Sequence, residues 1–163
     1  MCSINGFSYN DEDLIKKITL SNKYRGPDAT TFHINKSISF GFNLLAFTTD
    51  PEKSSQPIIC NNKKIVLMFN GEIYNLERLK KKLDIKYEIT EVEILLKLYQ
   101  IYRNEMFKLI DGMFAIAIFN EDENKIILCR DSLGIKPLYY FTKNGKFYFS
   151  SDLNSLFKIN LIS

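Results

Sequence analysis

A cysteine stands at position 2, directly after Met1. A small second residue normally lets the initiator methionine be removed, which would leave Cys2 carrying both a thiol and a free α-amine. An α-amine titrates near ~7.7–8.0, so part of it is neutral at cellular pH and can accept the thiol proton. Nucleophile and base then come from one residue, and no histidine is needed. Position alone does not make Cys2 a nucleophile; it is equally readable as a plain second residue. A further constellation is Asn70-Gly71-Glu72, which follows the apolar run KIVLMF at 64–69. An Asn amide and the next Gly N–H at a strand end can converge on one oxygen, as an oxyanion hole requires. The same dipeptide is also an ordinary turn. Arg25-Gly26-Pro27-Asp28 reads as a turn with a surface arginine. Arg130-Asp131 with Gly134, Lys136 and Pro137 reads as a structured turn with an internal ion pair.

These residues need elements to hold them. Residues 2–8 read as a short first strand, and 11–22 as an amphipathic helix with Leu14, Ile15 and Ile18 on one face. The Gly-Pro pair ends that helix. Two strands follow around a turn near Asn35-Lys36, then a loop over 48–56. Residues 64–69 form a buried strand that Asn70-Gly71 ends, and 77–83 a short helix. Residues 91–107 are the strongest helical pattern, with Val92, Ile94, Leu95, Leu98, Ile101 and Tyr102 as its apolar face. Residues 113–119 and 125–129 make a hairpin, as do 138–141 and 146–150, and 155–162 is a short apolar tail. Strands cluster at both ends with helices between. The expected class is α+β, with sheets packed on one another and covered by helices.

Composition removes several kinds of function. The 163 residues suit one domain that buries about two-thirds of its unfolded surface. With 45% hydrophobic residues, 13% aromatics and only four prolines, the chain can form a core. A net charge of +3, from 22 basic and 19 acidic residues, is too balanced for a nucleic-acid binder. No apolar run reaches the roughly 18 residues of a membrane-spanning helix. The polar start MCSINGFSYNDED is not a signal peptide, which points to the cytoplasm. Cys2, Cys60 and Cys129 form no CxxC pair and no even framework, so neither zinc nor a disulfide scaffold is suggested. A single imidazole, His33, excludes a His-rich metal site and argues against a His-dependent triad.

The blocks run in a fixed order: Cys2, RGPD, FNGEIYN, DGMFAIAIFN, RDSLGIKPLYY, FSSDLNSL. This order resembles the N-terminal glutaminase domain of asparagine synthetases, class II glutamine amidotransferases of the N-terminal-nucleophile hydrolase superfamily. The resemblance covers roughly residues 2–157, and several ordered blocks are far more specific than one motif. It implies a four-layer α-β-β-α sandwich. It further implies that Cys2 attacks the side-chain amide of glutamine, while Asn70 and the Gly71 N–H stabilise the oxyanion. Substrate-binding positions carried over in the same way are Leu44, Ala46, Glu72 and Glu91. Ammonia passes, in the family, to an ATP-dependent domain that amidates a carboxylate. No cofactor is therefore expected in this domain, with ATP and Mg needed only in a synthetase domain or chain. Glutamine and that synthetase are the implied partners, and a homodimer is compatible with the resemblance.

Three departures stand out. Where the family has an arginine in a segment like H-x-R-L-A-I, this chain has Leu44 in FNLLAF, 42–47. The charge pair to the glutamine α-carboxylate is thereby lost. Where the family has a loop like T-G-S-D-C-E, this chain has YEITEVE at 87–93, read as about three residues shorter, so Glu91 or Glu93 must replace the Asp. The chain also stops after FSSDLNSL and its apolar tail, with the expectation that residues 1–163 are one glutaminase domain without the further hairpin and synthetase domain. Two alternatives stay open: a scaffold that does not hydrolyse glutamine, and an amidase acting on a different amide.

Overall fold

The computed structural model describes residues 1–46, 55–60, 62 and 64–158. Two antiparallel sheets form its centre. The first runs β2 (Ala29–Ile34), β3 (Ser39–Leu44), β1 (Ser3–Phe7), β9 (Lys146–Ser150), β8 (Tyr139–Lys143). The second runs β4 (Ile58–Cys60), β5 (Ile65–Ile73), β6 (Gly112–Asn120), β7 (Lys125–Arg130). Alternation explains how they stack, because successive side chains of a strand point to opposite faces. Ile4, Phe40, Phe42, Leu44 and Phe149 of the first sheet share one buried cluster with Val66, Met68, Ala115, Ala117 and Phe119 of the second. The alanines of β6 leave room for the rings, and Phe40 and Phe149 pack edge to face at 5.3 Å.

The opposite faces take the helices. The odd-numbered Ile65, Leu67 and Phe69 of β5 lie under α3 (Glu91–Tyr102), which buries Val92, Ile94, Leu95, Leu98 and Tyr99. Leu79 of α2 (Leu76–Lys82) joins the same cluster. Each such fully buried side chain contributes about 1.5–3 kcal/mol. On the other side α1 (Glu12–Ser21) sets Ile15 and Ile18 on Phe7 and Tyr148, with α4 (Leu153–Lys158) beside it. Four layers result, α-β-β-α, as the resemblance implied. The first sheet draws its strands from both ends of the chain and the second from the middle.

Several boundaries differ from the sequence reading. Asn70-Gly71 does not end β5. The strand continues to Ile73, and Gly71 pairs with Phe114 in mid-ladder. A Cβ on Gly71 would sit 2.2 Å from the Met113 carbonyl, so close strand approach, not a turn, requires glycine there. The helix expected over 91–107 stops at Tyr102, because Arg103 takes a left-handed φ of 49° and a 3₁₀ turn follows over Arg103–Lys108. The tail expected over 155–162 is helical where described, within α4, and its residues 159–162 lie outside the described residues. The short strand β4 has no counterpart in the sequence reading. The loop expected over 48–56 lies outside the described residues except at 55 and 56.

Candidate active site

Cys2 sits one residue before β1 and, by alternation, on the same face as Ile4, against the cluster between the sheets. The Leu45 N–H donates to its sulfur at 3.4 Å, and the thiol faces the Leu45 carbonyl at 3.8 Å. Leu45 follows the end of β3 and is itself held in place by the RGPD segment. The Asp28 N–H donates to the Leu44 carbonyl at 3.0 Å, and the Asp28 carboxylate accepts from the Ala46 N–H at 2.7 Å. Gly26 lies so close that a Cβ would come within 2.6 Å of the Asn43 carbonyl. Arg25-Gly26-Pro27-Asp28 is thus a brace for the segment around Cys2 as well as a turn. Its arginine is not fully at the surface: Arg25 is half-buried, with its Nε buried and without a partner among the described residues, and Nη2 reaches Met1 Sδ at 3.5 Å.

The amine nearest this thiol is that of Met1. Burial lowers its pKa first, and the cations Arg25 and Lys136 push the same way against Cys2 and Asp28. Lys136 reaches this neighbourhood from the loop after β7. Burial alone would raise the Asp131 carboxyl there, but backbone N–H donors from Lys136, Ile135 and Phe114 outweigh it and hold the group below its ordinary value. The expected Arg130–Asp131 ion pair is replaced by these backbone bonds. Arg130 instead donates to the Gly134 carbonyl at 2.8 Å.

Asn70 forms the facing wall. It is 2% exposed, and it shares the parity of Val66 and Met68, so its side chain faces the space between the sheets, as Cys2 does. Strands β1 and β5 meet across that space. Asn70 Nδ2 is buried with no hydrogen-bond partner among the described residues. An unmade buried hydrogen bond costs about 1–3 kcal/mol, so a buried donor of this kind calls for a partner beyond the described residues. Glu72 follows with the same parity and is exposed at the strand end.

The remaining sequence candidates divide. Leu44 is 5% exposed and part of the apolar cluster, so no cation stands there. Asn43 cannot substitute. It points to the opposite face, where it bonds Ser3 Oγ at 2.7 Å and Thr30 Oγ1 at 3.1 Å. The Ala46 N–H is committed to Asp28. Glu93 is used in a capping box with Thr90 at the start of α3. Glu91 accepts the Ile73 N–H at 2.7 Å, and burial raises its pKa, with the Glu72 charge adding to the rise and the Ile73 donor opposing it. Glu91 is therefore the acid beside the end of β5, and Glu93 is not available.

Sequence reasoning missed Gln56. Its buried carboxamide accepts the Phe69 N–H at 2.6 Å and donates to the Phe69 carbonyl at 3.0 Å, one residue before Asn70. The available signal was Pro57, whose missing N–H marks where strand pairing must stop.

The geometry defines a thiol at one sheet end opposite a buried amide donor at the other, in an α-β-β-α sandwich. A family described as the glutamine amidotransferase domain matches residues 1–163. The chain belongs to that family. It is 36% identical over 151 residues to asparagine synthetase [glutamine-hydrolyzing] 1 of Bacillus subtilis, covering 90% of this chain and 24% of that protein. It is 31% identical over 166 residues to asparagine synthetase B [glutamine-hydrolyzing] of Escherichia coli, covering 96% of this chain and 30% of that protein. The chain thus spans about a quarter to a third of the relatives it matches. Among solved structures, glutamine phosphoribosylpyrophosphate amidotransferase from B. subtilis covers 95% of this chain with TM-score 0.73 at 17% identity, and 43% of that chain is matched. A second structure, an allosteric regulatory enzyme of purine biosynthesis, gives TM-score 0.78 at 16% identity over 95% of this chain and 43% of that one. This likeness shows the fold.

Proposed function

We propose that this domain hydrolyses the side-chain amide of glutamine and supplies ammonia to an ATP-dependent synthetase domain or chain. One observation carries the reading: the unpartnered, buried Asn70 Nδ2 on the wall facing Cys2. Removal of Met1 would place the α-amine on Cys2 itself, in the surroundings that already lower the Met1 amine. A neutral amine takes the thiol proton, and the sulfur attacks the amide carbonyl carbon. Negative charge gathers on the carbonyl oxygen, where Asn70 Nδ2 and the Gly71 N–H donate. The C–N bond breaks, ammonia leaves with the proton from the amine, and water hydrolyses the thioester to release glutamate.

Substrate recognition differs from that of an arginine-bearing relative. Leu44 offers nothing to the α-carboxylate, and Glu91 is the acid available for the α-amine, with Ala46 and Glu72 lining the approach. The domain itself needs no cofactor in this scheme; ATP and Mg act where the carboxylate is amidated. The names of the relatives support an asparagine-synthetase-like acceptor step. No helix among the described residues is long and apolar enough to cross a membrane, and the three cysteines are free, which supports a cytoplasmic setting. A steady-state assay of glutamate and ammonia release tests the reading. Release by the processed parent and none by Cys2→Ala supports it; equal release by both overturns it.

A further inference from the structure

Strand β5 is longer than its outer neighbour. β4 pairs only with Ile65, Val66 and Leu67, so beyond Leu67 no strand among the described residues pairs with this edge. Phe114 turns both its N–H and its C=O toward β7, donating to the Asp131 carboxylate at 3.1 Å and accepting from the Asp131 N–H at 2.9 Å. Gly71, its register partner on β5, therefore turns its own N–H and C=O the other way, to the open edge. Phe69 and Ile73, two residues to either side, share that direction. Both are covered: Gln56 holds the N–H and C=O of Phe69, and Glu91 accepts the N–H of Ile73.

We propose that Gln56 is a positioning residue which, with Glu91, covers the edge amides flanking Gly71 and leaves the Gly71 N–H as the one offered. This deepens the function proposed above. A bare strand edge would fray or recruit another strand, and a fully paired edge would consume the Gly71 donor. Side-chain clamps at 69 and 73 avoid both results and keep Asn70 and Gly71 extended, so that amide side chain and peptide N–H present to one oxygen.

Amide hydrogen exchange on the processed parent tests the clamp without reference to activity. The expected pattern is slow exchange at Phe69 and Ile73 and exchange at Gly71 faster by on the order of 100-fold. Gln56→Leu should release Phe69 and lower kcat about 10- to 100-fold while KM for glutamine stays within about threefold, since small misplacement of a donor costs rate first. Gln56→Glu keeps an acceptor for the Phe69 N–H and should recover part of that loss. It also serves if the leucine variant does not fold. A Gly71 amide as protected as its neighbours, or a change confined to KM, overturns the proposal. An inactive parent with an open Gly71 would overturn the glutaminase reading and leave the clamp standing. An active parent with a closed Gly71 would do the reverse.

Discussion

The two sheets differ in what they hold on the faces they turn toward each other. On the first, the backbone beside Cys2 is engaged at three groups: Leu44 C=O and Ala46 N–H on Asp28, and Leu45 N–H on the thiol. On the second, Asn70 Nδ2 is buried without a partner among the described residues. In the proposed function, one wall holds the nucleophile and the other keeps a donor for the oxyanion. The contrast separates two tasks. On the proposed reading, groups that act on the reacting amide stand on both walls, whereas the position that should grip the far, charged end of the substrate holds buried Leu44. That reading assigns chemistry and recognition to different residues, so they can be broken separately.

The largest expected effect is Cys2→Ala, which removes hydrolysis while the fold persists, because Cys2 only borders the inter-sheet cluster. Glutamate release and a thermal melt measured together check this. Next, Asn70→Ala lowers kcat by on the order of 10²–10³ with little change in KM, since its amide meets charge that develops only in the transition state. An effect on KM alone would make Asn70 a binding residue.

Asp131→Asn addresses the frame. The carboxylate accepts from Phe114, Ile135 and Lys136, and an amide oxygen cannot replace both of its oxygens. A loss of about 3 kcal/mol is expected in denaturant unfolding. Its depressed pKa fixes the sign with pH. The stabilisation is present above the ordinary value of 3.8 and is lost as pH falls through the lower folded value. The variant should lack that acid-induced fall.

Leu44→Arg sharpens the comparison from the recognition side. A charged hydrogen bond contributes about 1.5–3 kcal/mol, so KM for glutamine should drop roughly tenfold with kcat little changed. Tight binding by the parent would show that Leu44 does not weaken recognition. The smallest effect is expected at Glu91. Its raised pKa means that stability falls as pH climbs from the ordinary 4.5 through the folded value. Glu91→Gln retains an acceptor for Ile73 and should flatten that fall, a change of about 1–3 °C in Tm.

Much of this was legible in the sequence, and the exceptions share a cause. Hairpins are local patterns and were read correctly, whereas the α3 face was right at Val92, Ile94, Leu95 and Leu98 but wrong at Ile101, which is exposed while Leu96 and Tyr99 are buried. Asn70-Gly71 was ambiguous because strand and turn use the same dipeptide. Only its pairing with Ala115 and Phe114, more than forty positions away, decides between them. Gln56 was invisible because its role exists only where β4 stops short of β5. Asp28 and Asp131 looked like turn acids, and their backbone partners lie across loops that no spacing rule connects. The 3₁₀ turn after Tyr102 came from one residue, Arg103, leaving helical φ in a segment whose apolar pattern continued.

The most direct measurement is intact mass of the purified protein, followed by reaction with 6-diazo-5-oxo-norleucine and peptide mapping. The account predicts a chain without Met1 that takes a single adduct, on Cys2, with Cys60 and Cys129 unmodified. Burial raises the Cys129 thiol, and Cys60 Sγ accepts from Gln100 Nε2 at 3.0 Å, so neither matches an activated nucleophile. Retention of Met1 with no adduct, or an adduct on Cys60 or Cys129 in preference to Cys2, would contradict it.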